Sequence, residues 1–138
     1  MAEIDLMSGI QFEKVLSHLF ESEGYDVKLT PKSRDYGADL VLRKKSDVIV
    51  VQAKRSSNKI GIPAVNEIVG ASGYYNANHK WVITNQFYTN AAMVQAHKNK
   101  VMLLDRDDLL LMLRQYNKHS DKRKTIFRNM SKQKRPSL

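Results

Sequence analysis

The chain has 138 residues, 42% of them apolar, no cysteine and a formal charge of +9. That length and composition imply one domain with a real core and exclude global disorder. Disulfides and thiolate metal sites are excluded outright, and the longest apolar runs, 48–51 and 109–113, are far too short to cross a bilayer.

The N-terminus, Met1-Ala2-Glu3-Ile4-Asp5, is acidic and lacks a signal-peptide apolar core, so a cytoplasmic protein with no membrane attachment is expected. Ser8-Gly9-Ile10-Gln11 has the form of a capping box, and Phe12, Val15, Leu16, Leu19 and Phe20 follow at helical spacing, which predicts a first helix ending near Gly24. Tyr25 to Thr30 reads as a strand, and Pro31 to Gly37 as loop. Ala38 to Arg43 and Val48 to Arg55, rich in branched apolar residues and separated by polar Lys44-Lys45-Ser46-Asp47, read as a β-hairpin. A second helix runs through Val65, Ile68, Val69 and Ser72 with Pro63 near its start, and Trp81 to Thr84 is a buried strand. Thr89 caps a helix over Asn90 to Lys98, Val101 to Leu104 is a strand, and Asp105 caps a last helix through Tyr116. The order α-β-β-β-α-β-α-β-α predicts an α/β fold, an α/β/α sandwich whose mixed sheet begins as an antiparallel meander and is completed through helical crossovers. Both faces of the hairpin are apolar, so helices must cover both sides.

The hairpin carries the candidate chemistry. Centred on its turn, it pairs residues whose numbers sum to 91, which sets Asp39 across from Gln52 and Val41 across from Val50, with opposed Cβ atoms about 5 Å apart. Lys54, two residues beyond Gln52, points to the same face. A carboxylate, an amide and an ammonium thus converge at the end of a face otherwise made of Val41, Val48 and Val50. Such a cluster suits metal-assisted phosphodiester hydrolysis: Asp39 and Gln52 offer oxygens to a hard divalent cation, and Lys54 polarises water or offsets developing charge. Taken singly, an Asp at a strand start serves a turn and a Lys at a strand end reaches solvent; a one-residue bulge would turn Asp39 to the other face. Glu13 flanks the apolar stripe of the first helix. It is either a surface residue bordering the core or, if that helix packs near the hairpin end, a second carboxylate for the metal.

Other candidates carry less. His18, His79, His97 and His119 lack metal-ligand spacing and read as surface or satisfied core residues. Asp105, Asp107 and Asp108 suit capping and the helix dipole better than a metal. Asp35 either supports the metal ligands from behind or serves the turn, and Thr84-Asn85 either touches phosphate or caps the next turn. There is no P-loop and no nucleophile elbow.

Charge is unevenly placed. From Arg114 onward there are nine Lys/Arg and one acid, a net of +8, against fourteen and thirteen, a net of +1, in residues 1–113. The division expected is a domain over 1–116 and a basic tail over 117–138, partly disordered or with a short helix around Ile126, Phe127 and Met130. Lys122, Arg123, Lys124, Arg128, Lys132, Lys134 and Arg135 are its candidate nucleic-acid contacts, through counterion release; a solvated terminus that aids solubility is the alternative.

Seven stretches together resemble the Mrr-type restriction endonucleases of the PD-(D/E)xK nuclease superfamily: Ser8-Gly9-Ile10-Gln11-Phe12-Glu13, Gly24-Tyr25-Asp26-Val27, Asp35-Tyr36-Gly37-Ala38-Asp39, Gln52-Ala53-Lys54-Arg55, the Val65 to Tyr75 helix, Val82-Ile83-Thr84-Asn85 and Leu104-Asp105-Arg106-Asp107. The resemblance spans roughly residues 5 to 113 and leaves the basic tail uncovered. It implies a restriction-endonuclease-like fold and a Mg²⁺-dependent DNA endonuclease, with Mn²⁺ as a substitute, acting in restriction or DNA processing. Its catalytic positions fall on Asp39, Gln52 and Lys54, with Glu13 as the helix-borne acid and the Ala53 backbone carbonyl as a further metal ligand. Against the wider superfamily the chain departs at Gln52, where Asp or Glu is commoner; the Gln form is the one expected of the Mrr-type group. DNA is the implied partner, and a homodimer or higher homo-oligomer is expected. A structure-selective, junction-resolvase-like nuclease and a catalytically silent DNA-binding module are the alternative functions.

Overall fold

The computed structural model describes residues 1–31 and 36–119. Its elements are α1 (Ala2–Asp5), α2 (Gly9–Ser22), β1 (Asp26–Leu29), β2 (Leu40–Lys44), β3 (Asp47–Lys54), α3 (Ile62–Tyr74), β4 (His79–Thr84), α4 (Asn90–Lys98) and β5 (Met102–Leu104). A last helix, α5, covers 106–119. The expected order therefore holds with one addition, the four-residue α1. A helix that short has too little sequence to show an apolar period.

The starts of the helices follow from local chemistry. At α2 the Ser8 hydroxyl accepts from the Gln11 amide at 3.2 Å while Gln11 Oε1 accepts from the Ser8 amide at 3.0 Å, a reciprocal capping box. Thr89 Oγ1 accepts from the Ala92 amide at 3.1 Å at the start of α4. Asp105 Oδ1 accepts from the amides of Asp107 and Asp108, and Asp108 Oδ2 in turn accepts from the Asp105 amide at 2.9 Å. The aspartates at 105 and 108 are thus caps, as their place in a first turn implied.

The sheet runs β1-β2-β3-β4-β5, antiparallel across the first three strands and parallel across the last three. Every pair of the hairpin ladder, from Lys44↔Asp47 through Val41↔Val50 to Leu40↔Val51, sums to 91 as the turn position required. A two-residue turn closes it, with Lys45 at φ 56°. One sheet face, through Leu40, Leu42, Ile49 and Val51, packs on Phe12, Leu16, Leu19 and Phe20 of α2 and Leu109 of α5. The other, through Val41 and Val50, packs on Ala64, Val65, Ile68 and Ala71 of α3 and Ala92 and Ala96 of α4. Both faces of the hairpin are covered, so its side chains are buried in both directions. Each large aliphatic or aromatic side chain sealed there contributes about 1.5–3 kcal/mol, and Leu16→Ala, at a fully enclosed position, would cost about 2–5 kcal/mol.

Candidate active site

The two helix layers each send one acid to the same end of the hairpin. Glu13, on α2, is 8% exposed, so it is not the surface residue that its flanking position allowed. Glu67 comes from α3, the opposite layer, and is that helix's one charged residue. Glu13, Gly37, Asp39, Gln52, Ala53, Lys54 and Glu67 line one cavity of about 450 Å³. The four candidate catalytic side chains and Ala53 are thus brought together.

The expected direct pairing of Asp39 with Gln52 is not made. The ladder ends at Leu40↔Val51, and the Asp39 amide donates at 2.8 Å to the Val51 carbonyl, one residue short of the sum-91 register. Ala38 and Val41, three residues apart, are buried in the same core cluster, which regular alternation would forbid. A one-residue slip at the strand start explains both. Asp39 is consequently tied across the strand end, with Oδ2 accepting from the Ala53 amide at 2.8 Å. The Ala53 N–H points sideways in the plane of the sheet, so this bond holds the Asp39 carboxylate at the strand end between the two sheet faces. That is where a group from α2 and a group from α3 can share a cavity.

On the α3 side, Glu67 Oε2 accepts from Gln52 Nε2 at 3.0 Å and pairs with Lys54 Nζ at 3.1 Å. A carboxylate only accepts, so this contact fixes which end of the Gln52 amide faces α3. The other end, Oε1, is buried and has no hydrogen-bond partner among the described residues. An acceptor left so costs about 1–3 kcal/mol unless a ligand satisfies it. Gly37 closes the arrangement: at φ +89° its backbone lies so near α3 that a Cβ would stand 2.4 Å from the Glu67 carbonyl oxygen.

Sequence alone did not single out Glu67. A lone, exposed charge on an otherwise uncharged helix ordinarily reads as a solvated one, and its partners here are set by the fold. The tail contacts proposed at Lys122, Arg123, Lys124, Arg128, Lys132, Lys134 and Arg135, together with Asp35, lie outside the described residues. All four histidines are exposed. Thr84 and Asn85 are fully buried, which removes them as phosphate contacts. The Thr84 hydroxyl donates to the Lys54 carbonyl at 2.6 Å and so pins the strand end that carries Lys54.

Asn85 serves a neighbouring polar lock. Its Nδ2 donates to Asp5 Oδ1 and to the Ser56 carbonyl, both at 3.0 Å, and its Oδ1 accepts from the Ser56 amide at 2.8 Å. Arg106 grips Asp5 through two contacts of 2.8 and 3.0 Å, and Arg55 donates to the Asp5 carbonyl at 3.0 Å. The Arg106 guanidinium, and then the Asn85 amide, hold the Asp5 carboxyl down to about 2. In this way α1 fastens the exits of β3 and β4 to the start of α5.

A divalent cation would find hard oxygens here: the buried Glu13 carboxylate, the partly buried Asp39 carboxylate and the orphaned Gln52 Oε1. Among the described residues no three His, Asp or Glu side chains form a metal-binding group by themselves. The amide oxygen or a backbone carbonyl must therefore complete the donor set. Residues and group fit one another.

A family model described as restriction endonuclease, the Mrr catalytic domain, matches residues 4–113. Among solved structures, the chain is similar to the DNA modification-dependent restriction endonuclease AspBHI, with 18% identity and a TM-score of 0.61 over 78% of this chain and 31% of that one. It is similar to the MspJI restriction endonuclease, solved with a 27-mer oligonucleotide, with 19% identity and a TM-score of 0.50 over 74% and 26%. The protein of unknown function AF1548 gives 14% identity and a TM-score of 0.59 over 67% and 55%. The chain spans about half the length of the last and a third or less of the other two. The fold is that of these restriction endonucleases. No significant match was found among curated proteins.

Proposed function

The chain belongs to the Mrr-type restriction endonuclease family, and from that premise we propose that it is a metal-dependent DNA endonuclease that hydrolyses phosphodiester bonds at the Glu13–Asp39–Gln52–Lys54 cavity. The observation that carries this reading is the buried, unpartnered Gln52 Oε1 in a cavity shared with the carboxylates of Glu13, Asp39 and Glu67. A purely structural glutamine gains nothing from that arrangement. Glu13, Asp39, Gln52 Oε1 and the Ala53 carbonyl would hold Mg²⁺, or Mn²⁺ in its place. When bound, the ion supplies Lewis-acid polarisation of the phosphate and a lowered pKa for an attacking water.

The protein's own residues do the rest. The Asp39 carboxylate is oriented by the Ala53 amide, so its position is set by main chain rather than by a mobile partner. Lys54 is about one-third exposed, which lets its ammonium meet a phosphate arriving from solvent. There it would orient the water and offset the charge that develops as the new P–O bond forms and the sugar oxygen leaves; a donor in that role is worth about 10²–10³ in rate. The basic residues beyond Arg114 would hold the polyanion, and the dimer expected for two-strand cleavage belongs to the same proposal.

The test is cleavage of supercoiled plasmid, single-stranded and branched DNA under titrated Mg²⁺. Metal-dependent nicking of plasmid supports the reading. Cleavage confined to branched DNA would make it a structure-selective nuclease, and DNA binding without cleavage under any divalent ion would leave a silent binding module.

A further inference from the structure

We propose that Glu67 is a positioning residue that clamps the Gln52 amide so that Oε1, and not Nε2, is presented to the metal. The inference rests on the metal-site reading above and concerns a residue outside the four it assigns. An amide has two ends of nearly equal size, and only the oxygen end can bind a cation. Nothing intrinsic to glutamine selects that end. Here Glu67 Oε2 selects it by accepting from Nε2 at 3.0 Å. The same oxygen pairs with Lys54 Nζ at 3.1 Å, so one carboxylate sets the amide and the ammonium against each other. The Lys54 contact also compensates the Glu67 charge, which would otherwise compete with Oε1 for the cation.

The clamp is itself held. Gly37 lies against the Glu67 carbonyl and the neighbouring Ile68 is fully buried in the α3 core, so the backbone that carries the carboxylate is seated on the sheet. A carboxylate in position 52 would need no such device, because both its ends bind metal. The use of Gln in this strand therefore creates a requirement that Glu67 meets. Glu67→Gln keeps an acceptor oxygen for Nε2, whereas Glu67→Ala removes it.

The experiment measures two quantities that do not require turnover: hydrogen exchange of the Gln52 side-chain amide by NMR, with its signals assigned by their loss in Gln52→Glu, and Mn²⁺ affinity by calorimetry. In the wild type the Gln52 amide protons are expected to be protected. Glu67→Ala should expose them and weaken Mn²⁺ binding by about tenfold or more, while Glu67→Gln should keep the protection and stay within about threefold of wild type. Unchanged protection and affinity in Glu67→Ala would overturn the clamp. Equal loss of affinity in both variants would also overturn it, making Glu67 a metal ligand. Should Glu67→Ala fail to fold, loss of amide protection in Glu67→Gln still refutes the proposal and its retention supports it. A clamp that behaves as described in a protein that cleaves no DNA would separate the two readings, sparing the clamp and rejecting the nuclease.

Discussion

Gly37 and Glu67 touch main chain to main chain: a methyl group built on Gly37 would fall 2.4 Å from the Glu67 carbonyl oxygen, and Gly37 holds φ at +89°. The contact joins the loop that delivers Asp39 to the helix that delivers Glu67. Gly37→Ala therefore meets two penalties, a backbone conformation unfavourable to an L side chain and a collision with backbone that cannot rotate away. Gly24, at φ +96°, has only the flexible end of Lys44 nearby at 3.4 Å. Gly24→Ala should cost about 1–2 kcal/mol from conformation alone, and Gly37→Ala clearly more. Urea unfolding of the two variants side by side checks the order, and equal destabilisation would show that the α3 contact yields.

Acid should loosen the Asp5–Arg106 lock. The folded Asp5 carboxyl titrates at about 2, below the value of about 3.9 usual for an unfolded aspartate. The unfolded chain thus takes up the proton first as pH falls, so the stabilisation is fully present above about pH 4 and is lost as pH drops toward 2. The side chain is about one-third exposed, which keeps the effect modest. Asp5→Asn should be less stable than wild type at pH 6, with the gap narrowing between pH 4 and pH 2 in urea midpoints taken at each pH. A gap independent of pH would mean that packing of α1, and not the ion pair, carries the difference.

Glu13→Gln should raise the Mg²⁺ concentration for half-maximal cleavage on the order of tenfold, since an anionic oxygen is replaced in a hard-cation site that already contains one neutral amide. Excess metal should restore the rate. A variant with an unchanged metal requirement would assign Glu13 to the packing of α2 alone.

Removing residues 120–138 leaves α5 over 106–119 intact and deletes seven of the nine basic side chains found from Arg114 onward. If several of them pair with phosphates, DNA binding should weaken and the slope of log affinity against log salt should flatten by about 0.9 for each phosphate no longer neutralised. Cleavage at saturating DNA should persist. An unchanged slope would assign the tail to solubility.

The hairpin register, the capping box at Ser8, the cap at Asp105 and the coverage of both sheet faces were legible in the sequence because each depends on neighbours in the chain. So was the set of Glu13, Asp39, Gln52 and Lys54, the acid of α2 only as one of two readings. A bulge at Asp39 was visible as the weak point of the register, but its occurrence was not legible, since a bulge leaves no periodic trace when only one or two residues remain in the strand. Glu67 was hidden for a different reason: fifteen residues separate it from Gln52, and the crossover that brings α3 over β3 is a tertiary fact. The role of Asn85 likewise emerges only where Asp5, Ser56 and Arg106 meet. Sequence spacing located the strand that carries the candidate site, while the contacts that orient its side chains come from other layers.

The most direct measurement is plasmid cleavage by wild type, Asp39→Ala and Lys54→Ala under matched Mg²⁺, with urea unfolding of each protein as the control for folding. Wild type should cleave only with divalent metal, and both variants should fold cooperatively yet cleave about 10²-fold or more slowly. Cleavage by either folded variant at the wild-type rate would contradict the assignment of this cavity as the active site.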